Sequence, residues 1–306
     1  MTDRVWHTTN VRLPPVIVFL FVCCKTPAPK EGPGGALVIA TSDGCPQLIM
    51  AAGDHVYFTT KSGSLGRVPK TGGKSEKLAD NLRAPTGLIV GDAVYVAVHG
   101  AIVTIPKTGG GSVPIASELN LVEGLVMDST WIYFVDYIKD TSTIARVAKT
   151  GGNVDRLQSV TGLVSRLALD EMNLYFVAQH ELVRLPKTGG FRAAMGLTVQ
   201  GDVLWVDPKN LFFVDGSSFV RADKSTGKTQ RLIEFKGSPE PFIDGREVIW
   251  NEDRKSIQAV PITGGRARQI AGDQPNPRAV TGDEHSVYWA SCATDGEPGT
   301  ISKKAR

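Results

Sequence analysis

Pro-Lys-Thr-Gly-Gly stands at 69–73 and returns at 106–110 and 186–190, with Ala-Lys-Thr-Gly-Gly at 148–152. Two looser copies follow, Lys-Ser-Thr-Gly-Lys at 224–228 and Pro-Ile-Thr-Gly-Gly at 261–265. The threonines are Thr71, Thr108, Thr150, Thr188, Thr226 and Thr263, so the spacings run 37, 42, 38, 38 and 37 residues. A motif kept at a kept interval defines a structural repeat of about 40 residues. An apolar pair recurs with the same period: Tyr57-Phe58, Tyr95-Val96, Tyr133-Phe134, Tyr175-Phe176, Phe212-Phe213, Ile249-Trp250 and Tyr288-Trp289. That makes seven units.

Each unit parses into four short strands. In the second these are 87–90, 93–98, 102–105 and 111–116, each rich in β-branched or aromatic residues and bounded by Gly, Asp, Asn or Pro. Helical periodicity is nowhere sustained. One four-stranded sheet cannot bury both faces by itself, whereas copies stacked around an axis can. The expected fold is therefore all-β, a seven-bladed β-propeller of four-stranded antiparallel blades. The seventh unit stops at Arg306 after its third strand, with no Thr-Gly-Gly and no fourth strand. The missing piece is at the front. Gly34-Gly35 precedes an apolar segment ending at Ala40, one period of 38 before Gly72. An N-terminal strand should complete the last blade and close the ring, which removes an open sheet edge.

Composition agrees with one large export-compatible domain. The 306 residues are 42% hydrophobic and 21% charged, enough for a core and too few charges for wholesale disorder. Lys+Arg at 34 against Asp+Glu at 31 leaves a net charge of +3, which gives no support to nucleic-acid binding. Residues 16–24 form an unbroken apolar run of nine, short of the ~20 residues that span a bilayer but of the length of a signal core, with Arg4 and Arg12 before it. The expected organisation is a signal over 1–24, a flexible linker over 25–33 and a propeller over 34–306.

Blade geometry also pairs two cysteines. Cys45 lies in the loop that follows the closing strand, and Cys292 lies in the loop between second and third strands of that same last blade. Both loops belong to one face, so the two should meet at the ring seam and be oxidised in an exported protein.

Two resemblances extend this reading. The run ending at Cys23 or Cys24, followed by a Pro-rich polar tether, resembles a bacterial lipoprotein signal. It implies a lipid on one of those cysteines, attachment to the periplasmic or cell-surface side of a membrane, and no other membrane contact. Trp131-Ile-Tyr-Phe-Val-Asp136, then Ile144-Ala-Arg146, then Lys149-Thr-Gly-Gly152, resembles the YWTD repeat of LDL-receptor-type propellers. The whole repeat is also similar to uncharacterised propeller lipoproteins of Gram-negative bacteria. These resemblances imply binding of protein or peptide on one face of the disk, and the chain is expected to be a monomer. Such propellers usually have six blades, and the Asp after the aromatic pair is kept here only at Asp136 and Asp215.

Several motifs are absorbed by the repeat. Ala222-Asp-Lys-Ser-Thr-Gly-Lys-Thr229 imitates a phosphate loop, which needs a following helix that the pattern does not provide. His99 and His180 fall in loops between second and third strands, and no His pair has metal-ligand spacing. The variable positions are elsewhere. In repeat register, the loops entering the inner strands place Gln47, Thr86, Glu123, Ser165 with Arg166, Asp202, Glu240 and Arg278 around the mouth of the channel, with Asp136 and Tyr137 farther out. The leading expectation is a non-enzymatic scaffold that binds an envelope protein or polysaccharide there without a cofactor. The rival is a channel-mouth enzyme of lyase or lactone-hydrolase type, in which Glu123, Asp202 and Glu240 hold a divalent cation or His99 or His180 serves as base.

Overall fold

A computed structural model describes residues 29–306 except 238, 240, 293 and 295–297, so Cys23 and Cys24 lie outside the described residues. Seven antiparallel sheets follow one another along the chain. The third blade is representative, with strands Leu121–Met127, Trp131–Ile138, Thr141–Ala148 and Asp155–Thr161 in sequence order. The second blade has strands Gly87–Val90, Val94–Val98, Ala101–Ile105 and Val113–Ala116, each within two residues of the parse above.

The last blade is shared between the two ends of the chain. Pro277–Gly282, Ser286–Ser291 and Thr300–Ala305 supply three strands, and Leu37–Thr41 pairs antiparallel with Thr300–Ala305 as the fourth. The segment expected as linker gives up its end to this sheet. Gly32 N–H bonds the carbonyl of Ala36, and the tight turn folds Lys30–Glu31 back onto Leu37 and Val38. The seam carries the expected disulfide between Cys45 and Cys292, with Cα atoms 5.5 Å apart and a sequence separation of 247. Buried Gln274 holds the same seam, donating to Pro33 and Gly272 carbonyls and accepting from the Trp289 indole.

Among the described residues the core divides into seven clusters, one between each pair of adjacent blades. The repeated pair is what joins them. Successive strand residues point to opposite faces of a sheet, so the pair splits. Tyr133 packs toward the fourth blade and Phe134 toward the second. Tyr175 and Phe176 divide in the same way, as do Tyr288 and Trp289.

The Thr-Gly-Gly hairpin is a four-residue turn. Gly72 N–H bonds the carbonyl of Pro69 at 2.8 Å, and Gly72 and Gly73 follow at φ 89° and 139°, where a side chain would be strained. In the fifth blade the loop is one residue longer, because Gly227 N–H reaches back to Asp223 rather than three residues. Lys224 thereby keeps the place of the repeat lysine, although the Thr-Gly pair has moved on by one. The amides of Ser225 and Thr226, at 2.9 and 2.8 Å, donate to the carboxylate of Asp223. The phosphate-loop lookalike has thus filled its own anion nest.

The lysine in that hairpin has a use beyond the turn. Lys187 Nζ pairs with Asp128 of the preceding blade at 2.7 Å, Lys224 with Asp170 at 2.8 Å, and Lys70 with Asp283 at 2.6 Å across the seam. Each aspartate also accepts the hydroxyl of its own blade's tyrosine: Tyr133, Tyr175 and Tyr288. It caps the amides two and three residues on as well, such as Met172 and Asn173. The lysine head lies 5.5–5.8 Å from the same tyrosine ring. Burial works against ionisation of Asp283, but Lys70 and the His285 and Ser286 amides outweigh it and hold the acid at about 2. Burial and the neighbouring Asp283 push the Tyr288 hydroxyl up to about 12.

A second stitch runs beside the first. Arg67, Arg146 and Arg221 each donate to a main-chain carbonyl of the next blade's hairpin, at Lys107, Lys187 and Ile262, and Lys303 does so to Lys70. At the chain end Arg306 occupies the lysine position of the seventh blade and pairs with Asp244 of the sixth. All these contacts lie on the hairpin face, opposite the disulfide.

Candidate functional site at the channel mouth

The inner strands converge on a central cavity of about 620 Å³. Its polar wall is Gln47, Thr86, Glu123, Ser165, Arg166 and Asp202, each just before or at the start of an inner strand. Six of the sequence-derived rim residues are thus brought together. Arg278 is not on the wall; its neighbours Ala279 and Val280 are, and its carbonyl accepts from Asn251 at 3.0 Å. Glu240 lies outside the described residues. Leu48, Leu88, Leu125 and Leu167 form apolar strips between the polar groups.

The six polar groups are not equally available. Thr86 donates to the carbonyl of Val122 at 2.6 Å and ties the second blade to the third. Ser165 donates to Asp202 at 2.7 Å and fixes that carboxylate. Among the described residues the side chains of Gln47 and Glu123 make no hydrogen bond or ion pair. Glu123 is half-buried, and burial raises its acid constant; Arg166 pulls the other way, and Asp202 adds to the rise. Its position depends on the following residue. Gly124 sits at φ 60° inside a register slip, and a Cβ there would meet Leu167 Cγ and its backbone nitrogen at 3.2 Å. The glycine lets the third blade crowd the fourth and leaves Glu123 on the cavity wall.

The outer ring is structural where its bonds are seen. Asp136 accepts the Asn120 amide at 2.8 Å and the Asn120 side chain, locking the loop that leads to the mouth. Asp215 does the same for the Gln200 amide at 2.8 Å. The Tyr137 hydroxyl bonds Asp140 at 3.2 Å. His99 and His180 lie off the cavity wall, His180 serving its turn at φ 64°. Among the described residues no three His, Cys, Asp or Glu side chains are grouped as metal ligands.

Residues that sequence reading passed over are Asp128, Asp170 and Asp283, which anchor the stitches. Their signal was present, an aspartate five residues before Tyr133, Tyr175 and Tyr288.

No family model matches the chain, and no curated protein matches it. Solved structures do. Oligogalacturonate lyase in complex with manganese superposes with a TM-score of 0.68 at 12% identity, over 92% of this chain and 96% of that one. YCF48 bound to D1 peptide gives 0.61 at 12%, over 92% and 99%. A chain of the nidogen/laminin complex gives 0.52 at 21%, over 61% and 79%. At these identities the likeness establishes the propeller fold and nothing finer. The set joins a manganese-bound lyase to chains captured with a peptide or a protein.

Proposed function

We propose that the chain is an exported, lipid-anchored propeller that binds a segment of an envelope protein at the mouth of its channel, without catalysis. The observation that carries this is the division of labour between the two faces. The hairpin face repeats one Lys-Asp-Tyr stitch at three blade seams, while at the mouth five blades each present a different polar side chain to one cavity. A surface free to vary on a scaffold that is held constant is what selective recognition requires. Peptide or protein partners of structurally similar propellers support this reading, as does a cavity wall of mixed charge with apolar strips. The export reading is supported by the apolar run before Cys23 and Cys24 and by the oxidised seam.

The test is capture from native envelope extract. The chain is immobilised and compared with a copy carrying Gln47→Ala, Glu123→Ala, Arg166→Ala and Asp202→Ala. A protein retained by the first and lost from the second is the expected result. Equal retention removes the channel mouth from the reading. Turnover of an acidic oligosaccharide on addition of manganese would replace the scaffold with a lyase. Intact mass of membrane-fraction protein tests the anchor, and an acyl mass on Cys23 or Cys24 is expected.

A further inference from the structure

One carboxylate on the cavity wall has its hydrogen-bonding capacity unspent among the described residues. Glu123 lies on the wall, half-buried, with no hydrogen bond or ion pair among the described residues. Asp202 shares the cavity and is already held by Ser165, so it adds negative charge without offering Glu123 a partner. Arg166 acts on Glu123 only through space. The described wall leans to the same sign, with two acids, Glu123 and Asp202, against one base, Arg166, in a chain whose net charge is +3. A half-buried carboxylate is costly when unpaired, and a cation that reaches it recovers that cost.

The shape of the wall narrows the class of cation. Leucines at 48, 88, 125 and 167 line the cavity between the polar groups. A bare metal ion gains nothing from such strips. A lysine or arginine side chain does, because its methylene stem covers apolar surface while its head seeks a carboxylate. A cavity of about 620 Å³ has room for such a side chain and the backbone that carries it.

We infer that the channel mouth receives one basic side chain, lysine or arginine, from a protein partner, its head against Glu123 and its stem along the leucine wall. This rests on the binding-scaffold reading and names the anchor by which the partner is held. Glu123 is the recognition residue, and Asp202 deepens the local negative potential.

The probe is a pair of tripeptides, Ac-Gly-Arg-Gly-NH2 and its citrulline analogue, which keeps the shape and loses the charge. Each is titrated into the ¹⁵N-labelled chain at neutral pH, following the amides of Gly124 and Leu125. The arginine peptide should shift them and bind about tenfold or more tightly than the citrulline peptide, as a charge-assisted contact implies. Glu123→Gln should abolish that preference without lowering the melting temperature, since it removes a carboxylate that makes no hydrogen bond among the described residues. Equal binding of the two peptides, no shift at Gly124, or a preference that survives E123Q each overturns the inference. Envelope capture repeated with E123Q separates this failure from that of the scaffold. A partner retained equally by E123Q leaves the scaffold and removes the basic anchor. No partner for the unmutated chain, with the arginine preference intact, removes the scaffold and leaves the anchor.

Discussion

The two faces of the disk are cut from one repeat and differ in what the repeat spends. On the hairpin face, Asp128, Asp170 and Asp283 each satisfy a tyrosine hydroxyl, a lysine from the next blade and two amides. Little is left over for a ligand. At the mouth, among the described residues, the Gln47 and Glu123 side chains have no such partners, and the Cys45–Cys292 disulfide stitches the face covalently at the seam. Stabilising contacts are concentrated where the sequence repeats, and unspent polar groups where it does not. The contrast predicts opposite responses to substitution on the two faces.

The largest effect belongs to the seam. Replacing Cys45 and Cys292 by Ser frees a 247-residue loop in the unfolded chain. Chain-entropy reasoning gives a loss of about 5 kcal/mol. Denaturant midpoints of the double variant against the oxidised parent measure it. A change below about 1 kcal/mol would mean that strand closure by Leu37–Thr41 suffices alone.

Next is a single stitch. Asp170→Ala removes the partner of Lys224, Tyr175 and two amides, in a place where both charged side chains are mostly buried. A loss of about 2–3 kcal/mol is expected. Asp202→Ala at the mouth, tested in the same denaturant series, should cost under about 1 kcal/mol. If the two substitutions cost the same, the division between the faces fails.

Acid should expose the same asymmetry. Asp283 has a folded value of about 2, below its ordinary 3.8, so its contribution is complete above about pH 4. It is lost as pH falls from 4 toward 2, and Asp128 and Asp170, lowered by the same kind of contacts, add to that slope. Glu123 is shifted the other way, so protonating it does not weaken the fold. Asp283→Asn should flatten stability between pH 4 and 2 by roughly 2 kcal/mol, and Glu123→Gln should leave that limb unchanged. Melting curves across this range give both.

Much of this fold could be read directly from residues. The Thr-Gly-Gly interval counts the blades, and the missing seventh hairpin with the early Gly34-Gly35 shows how the ring closes. Cys45 and Cys292 follow from loop geometry. The mouth was legible as positions, because register alone places Gln47, Thr86, Glu123, Ser165, Arg166 and Asp202 around one axis. Which of them is occupied was not legible. Thr86 and Ser165 are spent on contacts with residues of other blades, and register says nothing about such pairings. The same limit hid the lysine of Pro-Lys-Thr-Gly-Gly, read as a turn residue, whose partner sits one blade back.

The smallest effect is the sharpest test of the stitch, because the molecule has already run part of the experiment. Where the repeat lysine becomes Ile262, the tyrosine of the preceding blade has become Phe212, and Asp207 caps only its own turn. At the neighbouring position Lys224 and Tyr175 are both kept. At this seam lysine and tyrosine are lost together, whereas at the next one Arg306 keeps its pairing with Asp244 although Ile249 stands in the tyrosine position. Restoring both residues, Ile262→Lys with Phe212→Tyr, should rebuild the missing stitch. Each change alone is expected to destabilise, Ile262→Lys by withdrawing apolar packing from the Phe212 cluster and Phe212→Tyr by burying a hydroxyl. The double variant should recover about 1 kcal/mol relative to the sum of the singles. A double-mutant cycle in denaturant reads that coupling directly, and additive losses would reduce the Lys-Asp-Tyr arrangement to a coincidence of spacing.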